Sequence, residues 1–392
     1  MNALNVDLVF PRFKLLSGAE RAILGLAGAL ATAGHHPRII CHQFDDSCRP
    51  RLAPGVELLC SNITLDWSRN RYLNAVADYL RSFRLARLLD SHADVRILFG
   101  PALPLIWYLK TMNASKVPVL YYCWEPPRVL YQDRDTVLSR LGGIRFLLAP
   151  LLRAYALLDR YMVTLVDAVC TSSPFAAERI QTIYRQPATV ITLGVDRDRL
   201  DSARLEAPKK TPTVLTVNYL HPRKRVDLIV AAAAVAKRTW ADHEQLRWVI
   251  VGDGPERPRL RRLADELGVR ELVEFTGFVP DDELPVYYAA ATCYVHAALE
   301  ESFGLSVVEA AYCGCPVVAV DEGGVRETVK HQLTGFLVPP VPGDLAEAVR
   351  AVVSREDLGR SLGAAGHEHV TQNYRWSQGA MDVIQLVETV RV

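Results

Sequence analysis

Short apolar runs alternate with longer stretches of helical periodicity along nearly the whole chain, the pattern of repeated strand–helix–strand units. Asn5–Phe10 predicts a strand, Pro11–Gly18 a turn, Ala19 to about Ala33 a helix closed by Gly34, and Arg38–His42 a second strand. Further strands are predicted near 96–99, 117–122, 168–171 and 189–192, with Arg-rich helical stretches between them. These make one open parallel sheet. The segment Asp201–Pro212 is polar and proline-bearing and reads as a linker. The pattern then restarts with strands at Thr213–Val217, Leu246–Val251, Val273–Thr276, Thr292–His296 and Pro316–Val320, and an alanine-rich helix at 226–238. The fold class is therefore α/β, with a second parallel sheet after the linker. The turns that carry polar chemistry all fall at the C-terminal ends of strands, where such sheets bind ligands. Trp376–Val390 has helical periodicity and no following strand, so it is expected to pack back across the first domain.

The stretch 299–316 concentrates the chemistry. Glu301 and Glu309 stand eight positions apart, Ser302-Phe303-Gly304 reads as the entry to a helix, and Gly314 with Pro316 reads as its stop. With a helix starting near Ser302, Glu309 lies roughly two turns, about 12 Å, further along. Free amides at a helix N-terminus suit a phosphate group. Two carboxylates so placed would grip hydroxyls at both ends of a ligand with a diphosphate in its middle, the layout of a nucleotide-sugar. An ordinary amphipathic helix with two solvated glutamates is the competing reading. In the first domain, Ser17-Gly18 forms a small-residue turn at the first crossover, where backbone can approach a phosphate closely. No G-x-G-x-x-G occurs there, so a nicotinamide-binding fingerprint is absent.

Composition changes this picture in three ways. At 392 residues, half of them hydrophobic, the chain is globular and large enough for two sizeable cores. The net charge of +1 hides an asymmetry of +7 over residues 1–205 and −6 over 206–392, and residues 69–160 carry 14 basic against 7 acidic side chains. That excess fits a membrane-surface or polyanion partner, or a plain solvated surface. Eight cysteines without a CxxC pair read as reduced, mostly buried thiols in a cytoplasmic protein. The N-terminus lacks a signal-peptide pattern and the apolar runs are too short or too interrupted to span a bilayer. Asn62-Ile63-Thr64 and Asn113-Ala114-Ser115 are then chance matches to the glycosylation pattern.

Several runs together resemble the retaining glycosyltransferase family 4. They are Val251-Gly252-Asp253-Gly254-Pro255, Phe275–Val279, Glu301-Ser302-Phe303-Gly304, Glu309-Ala310, Gly314–Ala319, Gly323-Gly324 and Thr334–Val338, with Ser17–Arg21 and Gly34-His35 in the first half. The resemblance covers nearly the whole chain. It implies the GT-B fold, two Rossmann-like doubly wound domains facing across a cleft: an acceptor domain over 1–205, a nucleotide-sugar donor domain over 206–374, and a C-terminal helix over 375–392. It further implies that Glu301 holds the donor sugar's hydroxyls, that Glu309 binds the ribose, and that the amides of Phe303, Gly304 and Leu305 meet the sugar and diphosphate. Ser17 and Gly18 join the donor site. Lys224 neutralises the departing diphosphate, which also follows from the need for a fixed cation where charge develops; a solvated basic turn is the plainer alternative. No cofactor is implied, and no metal, since no Asp-x-Asp motif is evident where one would be needed. Partners are a nucleotide-sugar and a glycan, lipid-linked or small-molecule acceptor, without nucleic acid. Similarity of the Ser17–Arg21 opening to mannosyltransferases favours GDP-mannose over a UDP-sugar.

Two departures from the family pattern stand out. Asn218-Tyr219 replaces Gly-Arg before the lysine, and tyrosine carries no positive charge, so Arg223 or Arg225 is expected to compensate. Trp124 stands at the place of a histidine; it reads as a pocket wall, with Glu125 as the alternative polar group. These departures keep open a catalytically weak or inactive sugar-nucleotide-binding relative. A nicotinamide oxidoreductase is the third class considered. Finally, Leu138–Val166 is Leu-rich, interrupted by Arg140, Arg145, Arg153 and Arg160, with Asp159 as its only acid. Either this segment lies peripherally on the cytoplasmic face of an anionic membrane, or its leucines face the sheet and its arginines are solvated.

Overall fold

The computed structural model describes residues 2–14, 16–61, 82–100, 102–112, 116–139, 142, 145–204, 212–240 and 246–391. Both glycosylation-pattern triplets, Arg140 and the later part of the expected linker lie outside these residues. The chain divides into two compact units, Met1–Gly194 with Trp376–Val392, and Val195–Arg375.

The first unit holds β1 (Asn5–Val9), the short β2 (Arg12–Phe13), α1 (Gly18–Thr32), β3 (His36–Cys41), the short β4 (Gln43–Phe44) and β5 (Glu57–Cys60). It continues with β6 (Val95–Phe99), β7 (Val119–Tyr122), α2 (Arg145–Val163), β8 (Ala168–Thr171) and β9 (Ala188–Val190). Seven of these strands form one parallel sheet in the order β5-β3-β1-β6-β7-β8-β9. Its interior strands are almost continuously apolar because helices cover both faces; β6 and β7 are buried along their full length. The sequence pattern missed β5, whose residues are only half-buried, as befits an edge. The Trp376–Arg391 helix packs along α1 and adds Ala380, Val383, Ile384 and Val387 to this unit's core. The Thr192 amide donates to Asp382 of that helix at 2.8 Å.

The second unit opens with α3 (Arg197–Arg204), so the first residues of the expected linker are helical. Then come β10 (Thr213–Val217), α4 (Val226–Thr239), β11 (Arg247–Val251), β12 (Val273–Gly277) and α5 (Leu284–Ala290). They are followed by β13 (Cys293–His296), α6 (Leu305–Tyr312), β14 (Val317–Val320) and β15 (Gly335–Val338). The sheet order is β12-β11-β10-β13-β14-β15, with all pairings parallel. This is the doubly wound arrangement in which crossovers reverse direction between the first and fourth strands. The reversal falls between β10 and β13, so the loops leaving these two strands diverge and leave a crevice at their ends. Small residues let α4 sit close against the sheet, with Ala232, Ala233, Ala234 and Ala236 all buried.

One helix boundary differs from expectation in a way that matters. The helix after β13 begins at Leu305, not Ser302. Gly304 has φ +85, a left-handed conformation that breaks the helical path before the first turn can form. Glu309 is thus the fifth residue of α6 and sits about 6 Å along it, roughly one turn.

Candidate active site

The loop after β10 and the loop after β13 bring Lys224 and Glu301 together. Lys224 lies in a short 3-10 turn, Pro222–Lys224, opened by His221, whose ring nitrogen accepts the Arg223 amide. Its Nζ donates to Glu301 Oε2. Arg225 follows with φ +44, and Glu300 precedes Glu301 with φ +47. Left-handed backbone at a bulky non-glycine residue is costly, and such residues cluster at functional sites. Arg225 is tied down by Glu322 and by the Ala297 carbonyl, to which its Nε donates at 2.8 Å. Behind Glu301, the Gly324 amide donates to the Glu301 carbonyl at 2.7 Å. A Cβ on Gly324 would stand 2.2 Å from the Ser302 carbonyl oxygen, so only glycine allows this loop to brace the Glu301 turn.

Burial is the largest single influence on the Glu301 carboxyl and raises it, but the Lys224 charge and hydrogen bond, the nearby His296 and Arg223 together outweigh it, and the group settles at about 2. It is therefore an anion throughout the neutral range. The cation beside it is only partly exposed, at 30%, in a crevice where charge interactions are stronger than in water.

Glu309 is placed differently from the solvated alternative. It is 2% exposed. Arg199 of α3 donates to its Oε1, and the Tyr288 hydroxyl of α5 donates to Oε2 at 3.1 Å. The other Arg199 terminal nitrogen donates to the Asp281 carbonyl at 2.7 Å. Phe303 is buried and packs edge-on against Tyr374, with ring centroids 5.5 Å apart. The α6 N-terminus after Gly304 leaves its first amides without intrahelical acceptors. Tyr294 of β13 fixes the first turn through a 2.8 Å hydrogen bond to Ser306.

At the departure from the family pattern, Asn218 is buried and donates to Thr216 at 2.7 Å, while Tyr219 is 45% exposed and stacks near His221. Arg223 faces the Leu299 carbonyl at 3.5 Å.

The first unit places Ser17 as the N-cap of α1 and Gly18 as its first residue, with open space where a Gly18 Cβ would be. The Ser17 hydroxyl is engaged by Glu20. Trp124 follows β7 and packs at a tilt against Tyr122 and Phe99, with centroid distances of 4.5 and 6.1 Å. Its indole N–H is buried and makes no hydrogen bond among the described residues. Glu125 is held by Arg128 at 3.0 Å and Arg179 at 3.7 Å, which leaves its carboxylate occupied by structural cations.

Comparison with known proteins agrees with this architecture. The family described as Glycosyltransferase Family 4 matches residues 16–199, and Glycosyl transferases group 1 matches residues 198–369. A GDP-mannose-dependent alpha-(1-6)-phosphatidylinositol monomannoside mannosyltransferase of Mycobacterium tuberculosis is 33% identical over 314 residues, 75% of each chain. The chain belongs to glycosyltransferase family 4. The phosphatidylinositol N-acetylglucosaminyltransferase gpi3 subunit of Schizosaccharomyces pombe is 32% identical over 390 residues, covering 98% of this chain and 78% of that one. Sucrose-phosphate synthase of Thermosynechococcus elongatus has the same fold, with a TM-score of 0.76 at 21% identity over 99% of each chain. The protein is thus a glycosyltransferase with two Rossmann-like α/β domains of the GT-B type.

The glycosyltransferase has two site residues that sequence reasoning did not single out. One is Arg199, whose partner lies 110 positions away. The other is His296, the last residue of β13, 1% exposed, with Nε2 3.7 Å from Glu301 and neither ring nitrogen hydrogen-bonded among the described residues. Burial pushes His296 down to about 4, so it is neutral beside the Lys224–Glu301 pair. The unfolded chain therefore binds a proton here more readily than the folded one between about pH 6.5 and pH 4. The stability tied to neutral His296 is complete above that window and is lost as pH falls through it. Relative to His296→Leu, the wild type is expected to lose on the order of 2 kcal/mol between about pH 7.5 and pH 5. Denaturant unfolding of both proteins at the two pH values measures this; a constant difference would refute it.

Proposed function

We propose that this glycosyltransferase is retaining and metal-independent and moves a hexose, mannose from GDP-mannose, to a glycan, lipid-linked or small-molecule acceptor. The observation that carries the reading is the Lys224–Glu301 pair at the reversal point of the second sheet, next to the start of α6. Lys224 meets the diphosphate as negative charge develops on it, and the α6 amides with Phe303, Gly304 and Leu305 take its other oxygens. Glu301, released from Lys224 by that exchange, turns to the sugar hydroxyls. Glu309, oriented by Arg199 and Tyr288, offers its remaining lone pairs to the ribose. The bond from the anomeric carbon to the diphosphate breaks, the acceptor oxygen takes its place on the same face, and the acceptor proton leaves with the phosphate. The first unit serves the acceptor, with Trp124 as an aromatic wall. GDP-mannose leads because of the Ser17–Arg21 opening and because the M. tuberculosis relative is named for that donor.

The Tyr219 and Trp124 departures support a second reading, a sugar-nucleotide-binding protein with little or no turnover. A thermal-shift screen against GDP- and UDP-sugars, followed by donor hydrolysis and transfer assays, separates the two. GDP-mannose is expected to raise Tm and to be consumed, at an unchanged rate in EDTA. Stabilisation by a UDP-sugar alone would reassign the donor, and binding without turnover would establish the second reading. Rate loss in EDTA restored by a divalent cation would overturn metal independence, and an inverted anomer in the first product by NMR would overturn retention.

Arg223 is the better candidate to take over from the missing arginine, a reading supported by the commitment of Arg225 to Glu322 and two carbonyls. Arg223→Gln is expected to weaken donor binding about 10-fold, the order of one charge-assisted hydrogen bond. Exposed Arg350 is the control, and Arg350→Gln should leave binding unchanged. Equal, negligible effects by calorimetry would mean that Lys224 and the α6 amides suffice.

A further inference from the structure

We propose that the outward face of α2 is a docking surface for anionic lipid bilayers. The helix carries apolar residues on two sides. Ala156, Asp159, Met162 and Val163 are buried in the first unit. Phe146, Leu147, Leu151, Leu157, Leu158 and Tyr161 face away from it, with exposures of 72, 73, 63, 66, 44 and 56%. At about 100° per residue these six fall in one continuous stripe opposite the buried side. Leu147, Leu151, Leu157 and Leu158 therefore face solvent and not the sheet. A stripe of large side chains this exposed is uncommon on a protein that meets only water.

Charge identifies the occupant. Arg145, Arg153 and Arg160 are all exposed on α2. Asp159, the only acid of the helix, is 1% exposed and accepts hydrogen bonds from Tyr131 at 2.6 Å and Tyr184 at 2.8 Å. The outer surface of α2 thus presents apolar side chains and cations without an anion. An amphipathic helix of this composition lies in the headgroup boundary, leucines down and arginines among lipid phosphates. A second copy of the chain fits less well, because two-fold pairing of the same face would bring its arginines together with no acid between them. Docking is independent of the donor and catalytic assignment; combined with that assignment, it points to an acceptor presented at a lipid surface.

The test is sedimentation of the full-length protein with vesicles, read without any sugar present. It is expected to bind vesicles of equimolar phosphatidylcholine and phosphatidylglycerol at low salt, and not phosphatidylcholine alone. Each cation near an anionic surface contributes about fivefold, so Arg145→Gln with Arg153→Gln should weaken binding roughly 25-fold. Raising the salt should release the protein, since screening shortens the reach of these charges. Leu147→Gln with Leu157→Gln should also weaken binding while leaving Tm and circular dichroism unchanged, as both residues are exposed. Three results would overturn the proposal: no binding to anionic vesicles at low salt, binding indifferent to the leucine substitutions, or a leucine-dependent dimer by analytical ultracentrifugation without vesicle binding.

Discussion

Lys224→Ala is expected to lower kcat by about 100- to 1,000-fold, the cost of removing one fixed charge partner from a developing anion, roughly 2.7–4 kcal/mol. The effect should appear in turnover more than in donor affinity, because the diphosphate gains charge only as its bond to the sugar breaks. Lys224→Arg is not expected to restore activity: a planar fork cannot occupy the position of a compact ammonium held against Glu301. Glu301→Ala should cost about 10- to 150-fold in turnover through a lost charge-assisted hydrogen bond to the sugar. Because Lys224 and Glu301 contact each other, the double variant should lose less than the product of the two single effects. Steady-state kinetics on the four proteins of this cycle tests the site as a unit. Full activity in both single variants would remove Lys224 and Glu301 from the chemistry, and strictly multiplicative effects would show that they act separately.

The sheets were legible because a parallel strand covered on both faces must be apolar almost throughout. Val317–Val320 is buried at every position, and such a run between glycines reads as a strand without further information. The pairing of Lys224 with Glu301 was only implicit: each stood at a strand end, but adjacency of β10 and β13 is a property of strand order. The start of α6 was misplaced because Ser302 reads as a cap, whereas backbone conformation at Gly304 decides where the helix begins. His296 escaped notice because it sits at the end of an otherwise apolar strand, where periodicity counts it as one more inward position. Arg199 gave no signal at all. It lies just before the stretch read as a linker, and its role arises only when α3 folds onto α5 and meets Glu309. In α2 the sequence showed amphipathicity but not orientation, since leucines occur on both sides. The hydrogen bonds from Tyr131 and Tyr184 to Asp159 settle which side faces inward.

Glu309→Ala is expected to destabilise the fold of the second unit. It leaves Arg199, 8% exposed, without the buried carboxylate it meets most closely, with Asp281 at 3.4 Å and Asp196 at 4.0 Å as its remaining anions. Breaking a buried pair by removing one member costs about 3–5 kcal/mol, more than the pair itself contributes relative to apolar residues. For a unit of this size that is a fall in Tm on the order of 10 °C. A loss of donor binding in Glu309→Ala would therefore be ambiguous between ribose contact and a damaged fold. Two further variants resolve it. Glu309→Gln keeps an acceptor for Arg199 and Tyr288 and should lose less stability than alanine. Arg199→Met combined with Glu309→Leu replaces the pair by apolar volume, which for buried pairs is often neutral or stabilising. That double variant should recover most of the Tm while still binding donor at least 10-fold more weakly, because no carboxylate remains for the ribose hydroxyls. Recovery of both stability and donor affinity, measured by calorimetry on the folded double variant, would make Glu309 a purely structural residue. The ribose contact would then have to come from elsewhere in the loops around α6.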